Sequence, residues 1–258
     1  ENWEPLHGDV EFRDVSFKYP DGEEYILEHF NLKVPQGTNV AIVGETGAGK
    51  STLVNLVCRF FEPTSGQILI DGKDARERSQ LWLHSHIGYV LQTPHLFSGT
   101  VLENLRYGKP NATMEEIENA VKSVSAEDVI RRMEKGYDSN VGEGGDLLST
   151  GEKQLLSFAR AILANPRIFV LDEATSSIDT VTEKKIQDAI ENLMKGRTSF
   201  VIAHRLYTIR QADVILVVKD GKIVEQGSHE ELIAKKGYYF QLYTRQYQEE
   251  SVENAFEA

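Results

Sequence analysis

A glycine-rich loop that joins an apolar run to an amphipathic segment constrains the fold of this chain more than any other feature. The loop from Gly44 to Ser51 reads Gly-Glu-Thr-Gly-Ala-Gly-Lys-Ser, which fits the pattern G-x-x-x-x-G-K-[ST]. The preceding run at 40–43, Val-Ala-Ile-Val, is continuously apolar, as in a strand covered on both faces. Four apolar residues follow at helical spacing, namely Leu53, Leu56, Val57 and Phe60. This context favours a phosphate-binding loop over a chance glycine-rich turn.

Each residue type in the loop has a use in holding a chain of phosphates. Glycines let the backbone curl so that its N–H groups face an anion, and the following helix adds its positive pole. Lys50 is predicted to reach the β- and γ-phosphates, and the Ser51 hydroxyl to ligate Mg²⁺. Glu45 stands at a variable position and is expected to be solvated. The predicted phosphate-binding residues are Gly44, Glu45, Thr46, Gly47, Ala48, Gly49, Lys50, Ser51 and Thr52.

Composition limits the function classes. The chain has 258 residues, no apolar run of membrane-spanning length, and a net charge of -12, which argues against sequence-independent nucleic-acid binding. Its single cysteine, Cys58, cannot form an internal disulfide, so we expect a reducing compartment and a core position for this residue. The chain starts at Glu1 without a methionine, and we expect it to belong to a longer polypeptide.

Apolar runs of strand length alternate with segments of helical periodicity, which is typical of a parallel α/β sheet. The predicted fold is α/β, with a mainly parallel sheet and an N-terminal antiparallel β subdomain; the family resemblance given below implies that the core is that of a P-loop NTPase (RecA-like). Residues 1–258 form one domain, in which 1–92 and 168–258 make the core and 93–167 an inserted helical subdomain. The apolar runs are 40–43, 87–91, 168–171 and 200–203, and the helical segments 114–122, 127–134, 152–163 and 181–193.

Polar residues follow three further apolar runs. Asp172 and Glu173 end one strand, Gln92 ends another and His204 a third. Because the carboxyl ends of parallel strands line one crevice, we expect these groups to converge with the loop. Asp172 would hold Mg²⁺, directly or through water, and Glu173 would polarise an attacking water. Gln92 would orient that water or complete the Mg²⁺ shell, and His204 would hydrogen-bond the γ-phosphate.

At this point the chain resembles the ATP-binding cassette (ABC) ATPases over nearly its whole length. Its motifs stand in the family's order: the Walker A loop 44–52, the Q-loop at Gln92, the signature at 148–152, Walker B at 169–173, the D-loop at 177–179 and the switch histidine His204. The resemblance implies that Tyr19 stacks on adenine and that ATP and Mg²⁺ are the cofactors. It also implies that Ser149, Gly151 and Asp179 serve a nucleotide at a dimer interface.

The resemblance further implies a head-to-tail dimer with a second cassette, in which each ATP is capped by the partner's signature. Residues 141–145, before the signature, and the stretch 231–240 resemble exporter half-transporters. We therefore expect membrane domains upstream of residue 1 in the same polypeptide, and a position on the cytoplasmic face of a bacterial inner or plasma membrane. The expected function is ATP hydrolysis that drives export.

The signature departs from the family's usual Leu-Ser-Gly-Gly-Gln, because Thr150 and Glu152 replace the third and fifth residues. Ser149 and Glu152 also match the capping box [ST]-x-x-E, so the carboxylate would serve its own helix. Alternatively it would face the partner's phosphate, and the sequence leaves both orientations open. An altered signature affects only the partner's ATP in a heterodimer. We therefore favour a heterodimer whose partner has a regular signature and a replaced catalytic glutamate, and keep a homodimer as the alternative.

Three other functions compete. A small-molecule P-loop kinase would leave the signature and D-loop unexplained. A soluble cassette ATPase of DNA repair or translation would usually carry a coiled-coil insertion, a zinc module or a basic face. A non-catalytic regulatory cassette would not keep Lys50, Asp172, Glu173 and His204. We do not expect zinc at His84, His86 and His95, because no acid or cysteine completes a ligand pattern. Trp3 and Trp82 are expected to serve packing.

Overall fold

A computed structural model describes residues 4–45, 49–90, 94–173 and 179–257 of the chain. The chain divides into two compact units, Glu1–Asn2 with His7–Gln80 and Thr198–Ala258, and Trp3–Leu6 with Leu81–Arg197. The subdomain boundaries expected at 93 and 167 stay a prediction.

The elements are numbered in chain order. The strands are β1 Val10–Phe17, β2 Leu27–Val34, β3 Asn39–Val43, β4 Ser65–Ile70, β5 Lys73–Asp74, β6 Ile87–Val90, β7 Ile168–Asp172, β8 Thr198–Ile202, β9 Val214–Lys219 and β10 Lys222–Gly227. The helices are α1 Ser51–Val57, α2 Gln80–His86, α3 Val101–Arg106, α4 Met114–Ser123, α5 Glu127–Arg131, α6 Thr150–Leu163, α7 Thr180–Met194, α8 Leu206–Gln211, α9 His229–Lys235 and α10 Tyr238–Glu257. Short 3-10 helices lie at Ala75–Glu77, Gly136–Asp138 and Glu143–Gly145.

One sheet of the first unit is antiparallel, with the order β2-β1-β4-β5. β1 contains a bulge, because its register against β4 shifts between Arg13 and Ser16. Asp14 takes a φ of 51° at the bulge. A Cβ atom on Gly66 would lie 2.0 Å from the Asp14 carbonyl oxygen, so only glycine fits opposite the bulge.

The other strands of the first unit place the glycine-rich loop. β3 runs parallel to both β8 and β9, and β10 completes the terminal hairpin antiparallel to β9. Val40, Ala41, Ile42 and Val43 are all buried, as the continuous apolar run predicts. Since β3 and β8 are parallel, the residues that follow them, Gly44 and 203–204, lie at the same edge of this sheet.

In the second unit β6 and β7 form a parallel pair in which Val90 stands opposite Leu171. The apolar residues of β7 are completely buried. Helix α6 contacts α3, α4, α7 and β6, so it forms the centre of the helical packing in this unit. The predicted helices at 114–122, 152–163 and 181–193 are confirmed within two residues.

Three predictions about single residues and segments differ in outcome. Cys58 is buried, as expected, and burial raises the pKa of its thiol to about 12. Trp82 is buried and donates its Nε1–H to the carbonyl oxygen of Glu4 at 2.8 Å, which agrees with a packing role; Trp3 lies outside the described residues. The helix predicted to reach residue 134 ends at Arg131.

In the described part of the chain, none of the helices has the length and apolar character that spanning a bilayer requires.

Candidate functional site

The described ends of the glycine-rich loop are tied together by its lysine. Lys50 Nζ donates to the carbonyl oxygen of Gly44 at 2.9 Å, and the Lys50 side chain is largely buried. Gly49 has a φ of 95°, and a Cβ atom there would lie 3.1 Å from the Cα of Gly221 in the β9–β10 turn. A side chain at Gly49 would therefore strain the backbone conformation and crowd the backbone of Gly221. Thr46, Gly47 and Ala48 lie outside the described residues.

The start of α1 is linked by a side-chain hydrogen bond to the segment that follows β1. Tyr19 Oη and Thr52 Oγ1 are 2.9 Å apart, and Thr52 is buried. The Tyr19 ring meets Phe17 and Phe61 edge-to-face, with ring centroids 4.9 Å and 5.2 Å away. Tyr19 is thus fixed beside the loop, half-buried, by its ring neighbours and by its hydroxyl. Ser51, at the first position of α1, is an exposed residue.

His204 follows β8, at the same sheet edge as the loop. Burial lowers the pKa of its imidazole to about 4, and the charges of Lys50 and Arg205 act in the same direction. The ring is therefore neutral at pH 7, and a neutral imidazole both donates and accepts a hydrogen bond. Lys50 and His204 both follow strands of the first unit that run parallel to each other, β3 and β8.

The acidic pair belongs to the second unit. Asp172 is the last residue of β7 and is partly exposed, and Glu173, directly after the strand, is completely buried. Gln92 lies outside the described residues, and the strand β6 that precedes it pairs in parallel with β7. Asp179 is exposed and caps α7, where it accepts a hydrogen bond from the N–H of Thr182 at 2.9 Å, which lowers the pKa of its carboxyl. The preceding D-loop residues 177–178 lie outside the described residues.

The altered signature forms a complete capping box at the start of α6. Ser149 Oγ accepts from the Glu152 N–H at 3.2 Å, and Glu152 Oε1 accepts from the Ser149 N–H at 2.9 Å. Glu152 Oε2 also lies 3.6 Å from Arg132 Nη2. The carboxylate therefore points to its own helix start and is partly neutralised by Arg132. Because Ser149 Oγ accepts within the box, its exposed hydroxyl keeps a proton to donate. Gly151, between them, is buried.

Within the first unit the structure brings together residues that the sequence analysis missed. Arg245 Nη1 lies 3.0 Å from Glu45 Oε1, and Gln246 Nε2 donates to the carbonyl oxygen of His204. Both residues belong to α10. The tyrosines 239, 243 and 247 recur every fourth residue and predict a helix here, but no motif marks the two polar positions that contact the loop and the histidine segment.

Comparison with known sequences gives a consistent result. The family described as "ABC transporter" matches residues 27–176. The chain is 51% identical over 241 residues to the uncharacterized ABC transporter ATP-binding protein YfiC of Bacillus subtilis (strain 168), covering 93% of this chain and 40% of that protein. It is 50% identical over 242 residues to the ATP-dependent lipid A-core flippase of Desulfotalea psychrophila, covering 94% of this chain and 42% of that protein. A third relative, the probable multidrug resistance ABC transporter ATP-binding/permease protein YheH of Bacillus subtilis (strain 168), is 52% identical over 239 residues, covering 93% of this chain and 35% of that protein.

A solved structure of a bacterial Atm1-family ABC exporter with ATP bound superposes on the chain with a TM-score of 0.84 and 42% sequence identity. The match covers 93% of this chain and 42% of that exporter chain. The chain thus spans less than half the length of these relatives.

Proposed function

The chain belongs to the ABC transporter family, as a nucleotide-binding domain of the exporter type, and we propose that it hydrolyses ATP with Mg²⁺ to drive export across a membrane. Family membership excludes the small-molecule kinase. The names of the relatives, among them a flippase and a multidrug resistance transporter, support transport over a soluble repair or translation function.

The observation that carries the proposal is the arrangement of Lys50 in the first unit. Its ammonium donates to the carbonyl of Gly44, which follows β3, and His204 follows the parallel strand β8 at the same sheet edge. Lysine and a neutral imidazole donor are suited to the oxygens of a γ-phosphate, one as a charge and one as a hydrogen-bond donor. The left-handed φ of 95° at Gly49 agrees with a loop whose backbone N–H groups turn toward an anion.

The remaining groups fit nucleotide and metal by their chemistry. The Ser51 hydroxyl and the Asp172 carboxylate are hard oxygen ligands of the kind that Mg²⁺ prefers, and Gln92 would complete the shell. When bound, Mg²⁺ neutralises charge on the β- and γ-phosphates. Tyr19 offers a ring held in place for the adenine base. The loop residues Gly44 to Thr52 bind the phosphates.

Glu173 is the residue assigned to water activation. In this assignment the carboxylate accepts a hydrogen bond from the attacking water and either takes its proton or orients its oxygen toward phosphorus. His204 donates to the γ-phosphate, and Gln92 orients the water. Complete burial of Glu173 supports the role, since exclusion of bulk water strengthens the electrostatic interaction between the carboxylate and a bound water.

We also propose the assembly. Two cassettes meet head-to-tail, so that Ser149, Gly151 and Asp179 of one cassette contact the nucleotide of the other. Membrane domains accompany the cassette in the same polypeptide, as the printed description "ATP-binding/permease protein" of one relative suggests, and hold it at the cytoplasmic face of a bacterial inner or plasma membrane. A heterodimer remains our preferred arrangement, because only there does the altered signature face one ATP and not both. The partner would carry a regular signature and a replaced catalytic glutamate.

The proposal is tested with Lys50→Ala. Charge-assisted hydrogen bonds contribute about 1.5–3 kcal/mol, so Mg-ATP binding should weaken by at least about tenfold and hydrolysis should be lost. Lys184→Ala, at an exposed lysine of α7, is the matched control. Unchanged Mg-ATP affinity in Lys50→Ala, measured with a fluorescent ATP analogue on the complete protein, would contradict the proposal.

A further inference from the structure

Within the first unit, helix α10 contacts the glycine-rich loop and the histidine segment through two adjacent residues. Arg245 Nη1 forms an exposed ion pair with Glu45 Oε1 of the glycine-rich loop at 3.0 Å. The next residue, Gln246, donates its amide Nε2–H to the carbonyl oxygen of His204. A single helix therefore contacts both the loop that carries Lys50 and the segment that carries the histidine.

Helix α10 supplies two hydrogen bonds to the backbone around the turn between β8 and α8, one to His204 and one to Leu206. Gln246 Nε2 also donates to Glu250 Oε1 at 3.2 Å, and the same carboxylate oxygen accepts from the N–H of Leu206 at 3.4 Å. Gln246 and Glu250 thus hold the carbonyl of His204 and the N–H of Leu206, on either side of Arg205. The side chain of Arg205, the N-cap of α8, makes no capping hydrogen bond of its own.

The position of α10 is itself fixed by aromatic contacts. Tyr243 Oη accepts from Arg210 Nε of α8 at 2.8 Å, and His229 Nδ1 of α9 is 2.7 Å from Tyr239 Oη. The Tyr239 and Tyr243 rings stack with centroids 6.0 Å apart, and Tyr239 is buried. These contacts anchor α10 to both α8 and α9, which fixes the position of Gln246.

We propose that Gln246 is a positioning residue for His204. The inference rests on the proposed function, in which the imidazole donates to the γ-phosphate. The position of the imidazole depends on the position of the His204 backbone. The hydrogen bond from Gln246 to the His204 carbonyl fixes that backbone and therefore the place of the ring. Glu250 supports this by keeping the Gln246 amide group oriented with both its N–H groups directed at acceptors. Displacing a reacting group by about 1 Å can lower a rate about a hundredfold. A substitution at Gln246 removes the contact to His204 but leaves the contact between Glu250 and the Leu206 N–H, so it should lower the rate by less.

Gln246→Glu tests the proposal with little change of shape. The new carboxylate cannot donate and would face two acceptors, the His204 carbonyl and Glu250. In the complete exporter reconstituted in liposomes, we expect kcat for ATP to fall about tenfold, while KM stays within about twofold, since binding through Lys50 is untouched. Gln248→Glu, the same change at an exposed position two residues along α10, is the matched control and should keep native kinetics.

Gln246→Ala provides a second variant that adds no charge, and a double-mutant cycle with His204→Ala separates positioning from general support of the fold. If Gln246 acts through the histidine, Gln246→Ala lowers single-turnover hydrolysis in the native background and changes it by less than about twofold beside His204→Ala. The positioning role alone would be overturned if the double variant showed the product of the two single-variant losses in hydrolysis rate. It would also be overturned if Gln246→Ala kept the native kcat. Native hydrolysis in His204→Ala would overturn the proposed role of the histidine as well, so the two failures are distinguishable.

Discussion

Glu152 Oε1 accepts a hydrogen bond from the backbone N–H of Ser149 at 2.9 Å, and the Glu152 N–H donates in turn to Ser149 Oγ at 3.2 Å. Glu152, one of the two residues by which this signature departs from the usual one, is therefore a helix cap of its own chain. Its charge remains near the positive helix pole at which we place the partner's phosphate. Two unit charges about 6 Å apart at an effective dielectric of about 20 would repel by about 3 kcal/mol before screening, and the nearby Arg132 reduces that effect.

The capping role predicts how substitutions at Glu152 affect stability. Glu152→Gln keeps an acceptor for the Ser149 N–H, so the free energy of unfolding should change by less than about 0.5 kcal/mol. Glu152→Ala removes the acceptor and should cost about 0.5–2 kcal/mol, the usual range for a lost cap. Denaturant unfolding of both variants measures the difference. Equal losses in the two variants would show that the charge and not the hydrogen bond matters.

The same residue tests the heterodimer. In the reconstituted pair, Glu152→Gln in this chain should leave most ATP turnover, because this chain's own ATP meets the signature of its partner. The measurement is steady-state phosphate release per dimer. If this chain alone forms a transporter with two equally active sites, the heterodimer is wrong.

Tyr19 separates base stacking from support of the loop. Tyr19→Ala should weaken nucleotide binding by about twofold to tenfold, since aromatic stacking contributes about 0.5–1.5 kcal/mol. Tyr19→Phe keeps the ring and should hardly change that affinity. It loses the hydrogen bond to Thr52 Oγ1, so the free energy of unfolding should fall by about 0.5–1.5 kcal/mol. Titration with a fluorescent nucleotide and chemical unfolding give the two quantities, and equal affinity losses in both variants would contradict stacking.

The lowered pKa of His204 predicts a pH-dependent stability. The folded-state pKa is about 4 against an ordinary value of 6.5, so between these values the unfolded chain binds more protons. The contribution of His204 is therefore fully present above pH 6.5 and is lost as the pH falls toward 4. His204→Gln should be less destabilised than the native protein over this range. The measurement is the free energy of unfolding of the two proteins between pH 7 and 4.5. An equal decrease in both proteins over this range would contradict the prediction.

The sequence allowed prediction of those strands and helices whose buried residues follow a regular pattern, either a continuous apolar run or apolar residues at helical spacing. Continuous apolar runs identified β3, β7 and β8, and the order of the motifs identified the family. The strand Ser65–Ile70 was missed, because only its second half is buried and no alternation marks it. Helix α5 ends early because its continuation tightens into an i,i+3 turn, in which the Met133 N–H bonds the Ile130 carbonyl.

Contacts in the candidate site could be predicted from the sequence only where the two residues lie close together in the chain. The Ser149–Glu152 capping box follows from spacing and is confirmed. The contacts of Gln246 with His204 and of Arg245 with Glu45 join residues that are 42 and 200 positions apart. Nothing in the sequence pairs such distant polar residues, because their meeting depends on how α10 packs against α8 and α9.

Glu173→Gln tests the central claim most directly, namely that this chain hydrolyses ATP with a buried glutamate that acts on water. The amide keeps the size of the side chain but cannot take a proton. In the complete exporter, Mg-ATP binding should remain within about threefold of native, while hydrolysis should fall at least about a hundredfold and an ATP-bound dimer should accumulate. Glu115→Gln, at an exposed position of α4, is the matched control. Hydrolysis at the native rate in Glu173→Gln would contradict the account.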